Sequence, residues 1–416
     1  MTTGDRVAVA GEGVNDMNIS IVVIGAGYAG VTAANRIRGS LTPAERQRVR
    51  IVMINRSGEF VERVRLHEVA AGTIPTAAFP LRDILHPDVA VIVGEVAAID
   101  PDRKLLDVMT DDGPRVERYD TLIYAVGSQA ALGAPGAQEH AYLLSNPDGA
   151  LAAREVIGRG ATGQRVVVVG GGATGVEAAA EIAEQHPQAR VTLLSAGSIL
   201  PGLPPSARSS IGSTLRRLGV VVRENVPVTE VLGDLIELQG GESVPSEVTV
   251  WAASFAVPQL ARISGLAVDG MGRLRVDEYL HSLDYPDIIG AGDAVRPPDS
   301  VAAHLRMGCA VAIPIGGHAA DTAIARLRDT APKPLDVGFL IQCISLGRRQ
   351  GYIQLVAADD TPRRLHLAGR LGAYVKERVC RMVVSGPRKE ADRPGSYHSP
   401  AGPRPHHRTT AGAPAS

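Results

Sequence analysis

A chain of 416 residues, 45% hydrophobic and 21% charged, is long enough for two or three domains with sizeable cores and has an ordinary globular composition. A formal net charge of −1 and an aromatic content of 3% provide neither a basic field nor a stacking platform, which excludes a general nucleic-acid binder. The three cysteines, Cys309, Cys343 and Cys380, are too widely spaced for a CxxC redox pair or a zinc cluster, so no metal site is expected.

Residues 1–17 carry Asp5, Glu12 and Asp16 and no long apolar core, so they read as a disordered leader rather than a signal peptide. No uninterrupted apolar run of about 20 residues offers a membrane span, and a cytoplasmic protein is expected. Residues 21–30, Ile-Val-Val-Ile-Gly-Ala-Gly-Tyr-Ala-Gly, then read as a buried parallel strand running into Gly25, Gly27 and Gly30 at GxGxxG spacing. Each glycine has a task in a dinucleotide site. Gly25 allows the tight turn, Gly27 lets a pyrophosphate approach the backbone, and Gly30 lets the next helix, about residues 28–38, pack on the strand. That helix would aim its N-terminal N–H groups at the phosphates.

A second strand, residues 49–54, ends at Asn55 and Arg56, where this fold commonly places an acid that bonds the adenosine ribose. An amide can still accept a ribose hydroxyl, and a plain turn asparagine is the other reading. Residues 59–73 crowd Glu59, Glu62, Arg63, Arg65, His67 and Glu68 together. A solvated helix face is the ordinary explanation; Arg63 or Arg65 reaching a pyrophosphate is the alternative. Residues 89–109 alternate as short strands with a turn at Asp100-Pro101-Asp102, and a second turn falls at Asp111-Asp112-Gly113-Pro114. Residues 119–128 read as a buried strand ending at Gly127, and the Gly/Ala/Pro-rich stretch 133–164 as a crossing that contains a helix near 146–157.

A second GxGxxG follows at residues 166–175, where Gly170, Gly172 and Gly175 close another β-branched strand and open a strong helix former containing Glu177. Two such turns, each in strand–turn–helix context, point to two dinucleotides with electrons passing between them. The strand 190–194 ends at Ser195, which neither bonds a 2′-hydroxyl as an acid would nor repels a 2′-phosphate; Arg208 could serve a 2′-phosphate or be a helix-surface charge. Residues 286–294 deliver Gly292 and Asp293 from a further buried strand, with Asp293 read either as a turn or cap aspartate or as a cofactor ligand.

The series GAGYAG, Ala125-Val126-Gly127, GGGATGVE, Val276-Asp277 and GAGDA resembles the flavoprotein pyridine-nucleotide reductases, over about residues 19–320. Within them, the lack of a cysteine pair in 59–73 is most similar to type II NADH dehydrogenases and apoptosis-inducing-factor-like oxidoreductases. The resemblance implies an α/β fold with two Rossmann-like three-layer dinucleotide-binding domains, one for FAD and one for NAD(P)H, and a small C-terminal α+β domain. It implies that Gly25, Gly27, Gly30, Asn55, Arg56, Gly127 and Asp293 hold FAD, with Asp293 on the ribityl chain. It implies that Gly170, Gly172, Gly175 and Ser195 hold NAD(P)H, with Glu177 near the nicotinamide. The implied activity is hydride transfer from NAD(P)H, NADH being favoured, to flavin and on to a quinone. The alternatives are a slowly turning redox sensor and a reductase of a protein electron carrier. One departure stands out: type II enzymes carry an Ala-Gln-x-Ala-x-Gln stretch after the GD pair, and residues 301–309 here contain no glutamine.

Expected boundaries are a leader 1–17, an FAD domain 18–150 and 256–330, an NAD(P)H domain 151–255, an interface domain 331–386 with strands near 340–347 and 350–357, and a disordered tail 387–416 that includes His406 and His407. Residues 370–385 read as a helix whose apolar face is Leu371, Val375, Val379, Met382 and Val383, with Lys376 beyond its edge. That face, with Arg370, Arg378 and Arg381 beside it, offers a peripheral contact with the inner face of a membrane or a packing surface for the protein itself. A homodimer stays open.

Overall fold

The structure, a computed structural model, describes residues 19–403, so the expected leader and the histidines His406 and His407 lie outside the described residues. Five parallel strands form the first sheet, in the order Ile288–Gly290, Thr121–Tyr124, Ile19–Ile24, Val49–Asn55, Ala90–Val93. Ile21, Val22 and Val23 are buried, as both-face burial of a parallel strand requires of a β-branched run. The second strand in sequence pairs on one side of Ile19–Ile24 and Thr121–Tyr124 on the other. Chain order therefore reverses at Ile19–Ile24, and a crevice opens at the carboxyl ends of these strands. The helix Tyr28–Ser40 leaves from that crevice and is crossed by the helix Cys309–Leu327. The crossing is close: a Cβ on Gly316 would stand 2.3 Å from the Ala29 carbonyl oxygen.

A second five-stranded parallel sheet repeats the plan, in the order Ala141–Leu143, Val248–Trp251, Arg165–Val169, Arg190–Leu194, Val221–Arg223. Its reversal falls between Arg165–Val169 and Val248–Trp251, again where a glycine turn begins. The chain crosses between the sheets at the antiparallel pair Gln129–Ala130 and Phe255–Ala256. Ala141–Leu143 already belongs to the second sheet, so the expected boundary at 150 falls inside the helix Pro147–Gly158. Three apolar residues in a Gly/Ala/Pro-rich stretch are too short a run to read as a strand.

The C-terminal antiparallel sheet, Ile341–Ser345, Gly351–Val356 and Pro362–Ala368, has no core of its own. Phe339, Val356 and Val383 join the core of the first sheet, whereas Ile344, Leu346 and Tyr352 join that of the second. The helix Gly369–Lys389 buries Gly372, Cys380, Val383 and Pro387, with Lys376 on the same stripe. This corrects the expected apolar face by about one position: Leu371 and Met382 are exposed. Close approach decides the rotation, because a Cβ on Gly372 would lie 2.4 Å from the Gly351 carbonyl oxygen.

Residues 387–403, expected to stay outside any core, pack on the first helix instead. Glu390 is fully buried and accepts from Arg36 Nε (2.7 Å), Gly395 N (2.7 Å) and Tyr397 N (2.6 Å). Asn35 Nδ2 donates to the Pro387 carbonyl at 2.9 Å. Composition alone misses this, because one buried ion pair and a handful of backbone bonds do the ordering. Burial opposes the charge on Glu390, but the bonds from Arg36 and from the backbone hold its carboxyl below the ordinary 4.5. A carboxyl depressed on folding adds stability above its unfolded pKa and loses it as the pH falls through the lower folded value. Arg36→Met should therefore cost about 3 kcal/mol at pH 7, the price of stranding a buried charge, and less in acid. Urea midpoints at both pH values check this, and an unchanged midpoint at pH 7 would remove the clasp from the stability of the fold.

Candidate functional site

The two glycine turns are built alike. Gly25 has φ +96°, and a Cβ there would meet the Ala125 carbonyl oxygen at 2.4 Å. Gly170 has φ +133°, and its Cβ would meet the Ala252 carbonyl oxygen at 2.6 Å. The third glycines, Gly30 and Gly175, would each place a Cβ 1.9 Å from the carbonyl oxygen of the first, so both are required by helix–strand packing. The middle glycines differ in kind. Beyond the adjoining backbone, nothing lies within 4 Å of a Cβ on Gly27 or Gly172, and both sit at the N-cap of a 13-residue helix with no side-chain cap and no acid in the first turn. Their freedom from protein contact leaves room for a phosphate against uncapped backbone N–H groups.

Around the first turn, Asn55 Oδ1 accepts from Ala26 N at 3.0 Å and Asn55 Nδ2 donates to the Ser57 carbonyl at 2.8 Å, so Asn55 braces the glycine turn. Arg56 is exposed. Gly127, with φ +67°, also faces open space. Beyond it, Asp293 accepts from Ser128 Oγ and from Gly308 N, both at 2.8 Å, and Arg63 Nη1 donates to the Ser128 carbonyl at 2.6 Å. Burial pushes Arg63 below its ordinary pKa, with Asp293 pulling the other way. Four groups far apart in sequence thus meet at the mouth of the first crevice.

Around the second turn, Ser195 is buried under Gly171, whose Cβ would stand 2.0 Å from its hydroxyl. Glu177 lies one turn into the helix Ala173–Gln185, and its Oε1 is 2.8 Å from Lys376 Nζ and 2.9 Å from Ser345 N. Burial opposes the charge on Glu177, but Lys376 and then His67 hold its carboxyl below the ordinary range. Burial likewise works against the Lys376 ammonium, and Glu177 raises it well above its ordinary value. Burial raises the pKa of the half-buried Cys309, with Lys376 opposing and Asp293 and Glu177 adding to it, so the ion pair and the first crevice lie within electrostatic reach of one thiol.

Segment 59–73 is not the solvated face that its charges suggest. Glu62, His67 and Glu68 are buried. Arg65 binds Glu62 (3.0 Å), Glu68 (3.0 Å) and Glu377 (2.9 Å), and so turns away from the first crevice, while Arg63 faces it. Arg348 reaches Glu68 at 3.2 Å, and Thr73 Oγ1 donates to Glu181 at 2.6 Å. The acids outnumber their bases, and burial pushes Glu62 up to about 7, with Arg65 opposing. Burial also pushes up the thiols, Cys343 to about 11 and Cys380 to about 12, so both stay protonated at neutral pH. Sequence reasoning missed Arg348 altogether, and it gave His67 and Lys376 places on a charged segment and a helix edge but no part in this network. The signal for Lys376 was its place on the small-residue stripe of Gly372 and Cys380, at i−4 and i+4.

Known proteins share this plan. A family profile described as pyridine nucleotide-disulphide oxidoreductase matches residues 19–308. The NADH dehydrogenase-like protein MT1860 of Mycobacterium tuberculosis is 31% identical over an alignment of 374 residues that covers 83% of this chain and 91% of that protein. The type II NADH:quinone oxidoreductase NdhA of the same species is 30% identical over 341 residues, covering 72% of this chain and 69% of NdhA. Among solved structures, the sulfide:quinone oxidoreductase of Aquifex aeolicus superposes with a TM-score of 0.74 at 20% identity, over 91% of this chain and 93% of that one. NDH2 of Plasmodium falciparum in complex with NADH gives 0.71 at 15% identity, over 90% and 97%.

The two kinds of glycine part company under substitution. Gly30→Ala and Gly175→Ala should each fail to fold or lose several kcal/mol, since the clash is with backbone. Gly27→Ala and Gly172→Ala should melt within about 1 kcal/mol of the parent in the absence of nucleotide, set mainly by the change in unfolded-chain entropy. Thermal melts of the four proteins check this; a large loss at Gly27 or Gly172 would mean that the open space is not as drawn.

Proposed function

The chain belongs to the pyridine nucleotide-disulphide oxidoreductase family, and on that premise we propose an FAD-dependent NAD(P)H oxidoreductase of the type II NADH dehydrogenase kind, with a quinone as electron acceptor. One observation carries the reading: the same turn, with a middle glycine that only a ligand needs, stands at the reversal point of both parallel sheets. The mycobacterial relatives supply NADH and quinone by name.

On this reading residues 19–128 and 257–330 hold FAD, residues 129–256 hold the nicotinamide nucleotide, and residues 331–389 close the interface between them. The first crevice fits the flavin nucleotide. Gly27 and Gly127 leave room at the backbone, and the uncapped helix faces the pyrophosphate. Asn55 keeps one N–H and one lone pair for a ribose, and Asp293, fixed by Ser128 and Gly308, presents a carboxylate to polar hydroxyls. Gly170, Gly172 and Gly175 fit the second pyrophosphate in the same way. When bound, the flavin supplies the hydride and electron chemistry that side chains lack. Glu177 positions the nicotinamide end, and Lys376 keeps a positive charge and a proton beside it. No glutamine serves an acceptor in 301–309. Arg306 binds Asp360 at 2.6 Å and lies over Phe339 at 4.8 Å, and this pair forms the wall there.

Purified protein reconstituted with FAD should show flavin absorbance that NADH bleaches under anaerobic conditions, and a soluble quinone should restore it with steady turnover. Absence of a flavin spectrum after reconstitution would sink the whole reading, whereas bleaching without quinone turnover would sink the acceptor alone.

The exposed side of the last strand and helix adds a second element. Leu365, Leu367, Leu371, Tyr374 and Met382 are all exposed there, flanked by Arg363, Arg364, Arg370, Arg378 and Arg381. Among the described residues no helix is long and apolar enough to cross a membrane. An apolar patch rimmed by bases fits peripheral contact with an anionic leaflet, where a lipid-soluble quinone would be met, each base adding about 1 kcal/mol. Co-sedimentation with anionic vesicles at low salt should retain the parent and release Leu371→Glu/Met382→Glu, two changes that leave the buried stripe intact. Equal pelleting of parent and variant, or pelleting of neither, would remove this face from membrane contact.

A further inference from the structure

Besides the two crevices, a cavity of about 270 Å³ opens at the carboxyl ends of Arg190–Leu194 and Val221–Arg223. Ile199, Arg208, Ser209, Arg216 and Glu224 are among its lining residues. It is joined to the second glycine turn by direct contact. A Cβ on Gly171 would touch Ser195 and lie 3.5 Å from Ile199 Cα, and Leu200 N donates to the Gly171 carbonyl at 2.8 Å. In a sheet of this kind the adenosine end of a bound dinucleotide lies over these strand ends, with the 2′ position next to the residue that ends the second strand.

Three facts decide what such a cavity accepts. Ser195, where an acid would bond a 2′-hydroxyl, is 4% exposed and turned under Gly171. Arg208 and Arg216 line the cavity, and among the described residues neither pairs with a carboxylate. Arg208 Nε is buried without a hydrogen-bond partner. Against them stands Glu224, whose Oε1 is held by Ile199 N at 2.7 Å. Two guanidiniums to one engaged carboxylate leave a net positive cavity, and a guanidinium suits a phosphate through paired N–H groups. Arg216 sits eight residues further along the helix Pro205–Arg217, about 12 Å by helical rise, so Arg208 is the nearer of the two to the strand ends.

We propose that Arg208 recognises the 2′-phosphate of a nicotinamide nucleotide, so that this chain takes NADPH as well as the NADH in its relatives' names. The inference rests on the second glycine turn being the nicotinamide-nucleotide site. The arrangement differs from an acid at the end of the second strand, which would reject the phosphate; here the selecting side chain comes from the following helix, and Glu224 tempers it.

Binding of 2′,5′-ADP and of 5′-AMP to the full chain, read by calorimetry, separates the two levels of the argument. The parent should bind 2′,5′-ADP at least about tenfold more tightly than 5′-AMP, with a steeper loss on adding salt. Arg208→Met should bring the two affinities together while leaving 5′-AMP unchanged, which also reports that the variant is folded. Arg208→Lys should keep part of the preference, and Glu224→Gln should widen it. A parent that binds both nucleotides equally, or an Arg208→Met protein that keeps the preference, overturns the proposal and leaves the nucleotide site standing. A parent that binds neither nucleotide overturns both.

Discussion

The ion pair between Glu177 and Lys376 is the constraint on which the rest of the arrangement depends. It joins the helix that leaves the second glycine turn to the helix that closes the chain, with Ser345 of the third sheet on the same carboxylate. Neither charge could be buried alone, since an unpaired ion in such a place costs several kcal/mol. The pair is therefore less a source of stability than a condition on geometry: the last helix must dock at one rotation and one height, or both charges are stranded. Arg65 and Arg348 extend the condition to Glu62, Glu68 and Glu377, so four segments must agree. Burial, with a smaller push from Glu68 and Glu377, is why Glu62 binds its proton more tightly than an exposed glutamate does, Arg65 opposing.

The two halves of the molecule solve the same problem with the same backbone. In both, the first and third glycines answer to the protein and the middle glycine answers to space. The division explains how a turn can be rigid and yet open. The clash-limited pair fixes the direction of the helix, and the unencumbered position between them keeps the helix N-terminus accessible. The third sheet lends its side chains to both cores and so sets the distance between the two crevices.

Legibility in the sequence tracked the range of the interactions involved. The strand–turn–helix units were readable because Gly25 and Gly30, or Gly170 and Gly175, act on neighbours a few residues away. Asp293 was readable as part of a motif. The ionic network was not: Arg65 and Glu377 lie 312 residues apart, and nothing local to residues 59–73 distinguishes a solvated charged face from one that another helix will cover. The C-terminal helix was assigned correctly as a helix but with its face turned, because hydropathy favoured Leu371 and Met382 whereas packing favoured Gly372 and Cys380 around a paired lysine. Ser195 occupied the expected strand end, yet its burial and the cavity beside Arg208 depend on how a helix and a strand edge meet, which no local pattern encodes.

The clasp between Arg36 and Glu390 also has a meaning in time. The two residues are 354 positions apart, and at translation rates of about 5 to 20 residues per second the second emerges about 20 to 70 s after the first. Throughout that interval the first helix lacks the last part of its cover: Arg36 is without Glu390, Asn35 without the Pro387 carbonyl, and the glycine at its end, Gly39, is bare of the backbone that later lies against it. Order at the first helix therefore waits on residues 387–397 far downstream, so a chain cut before them differs at its first helix as well as at the cut.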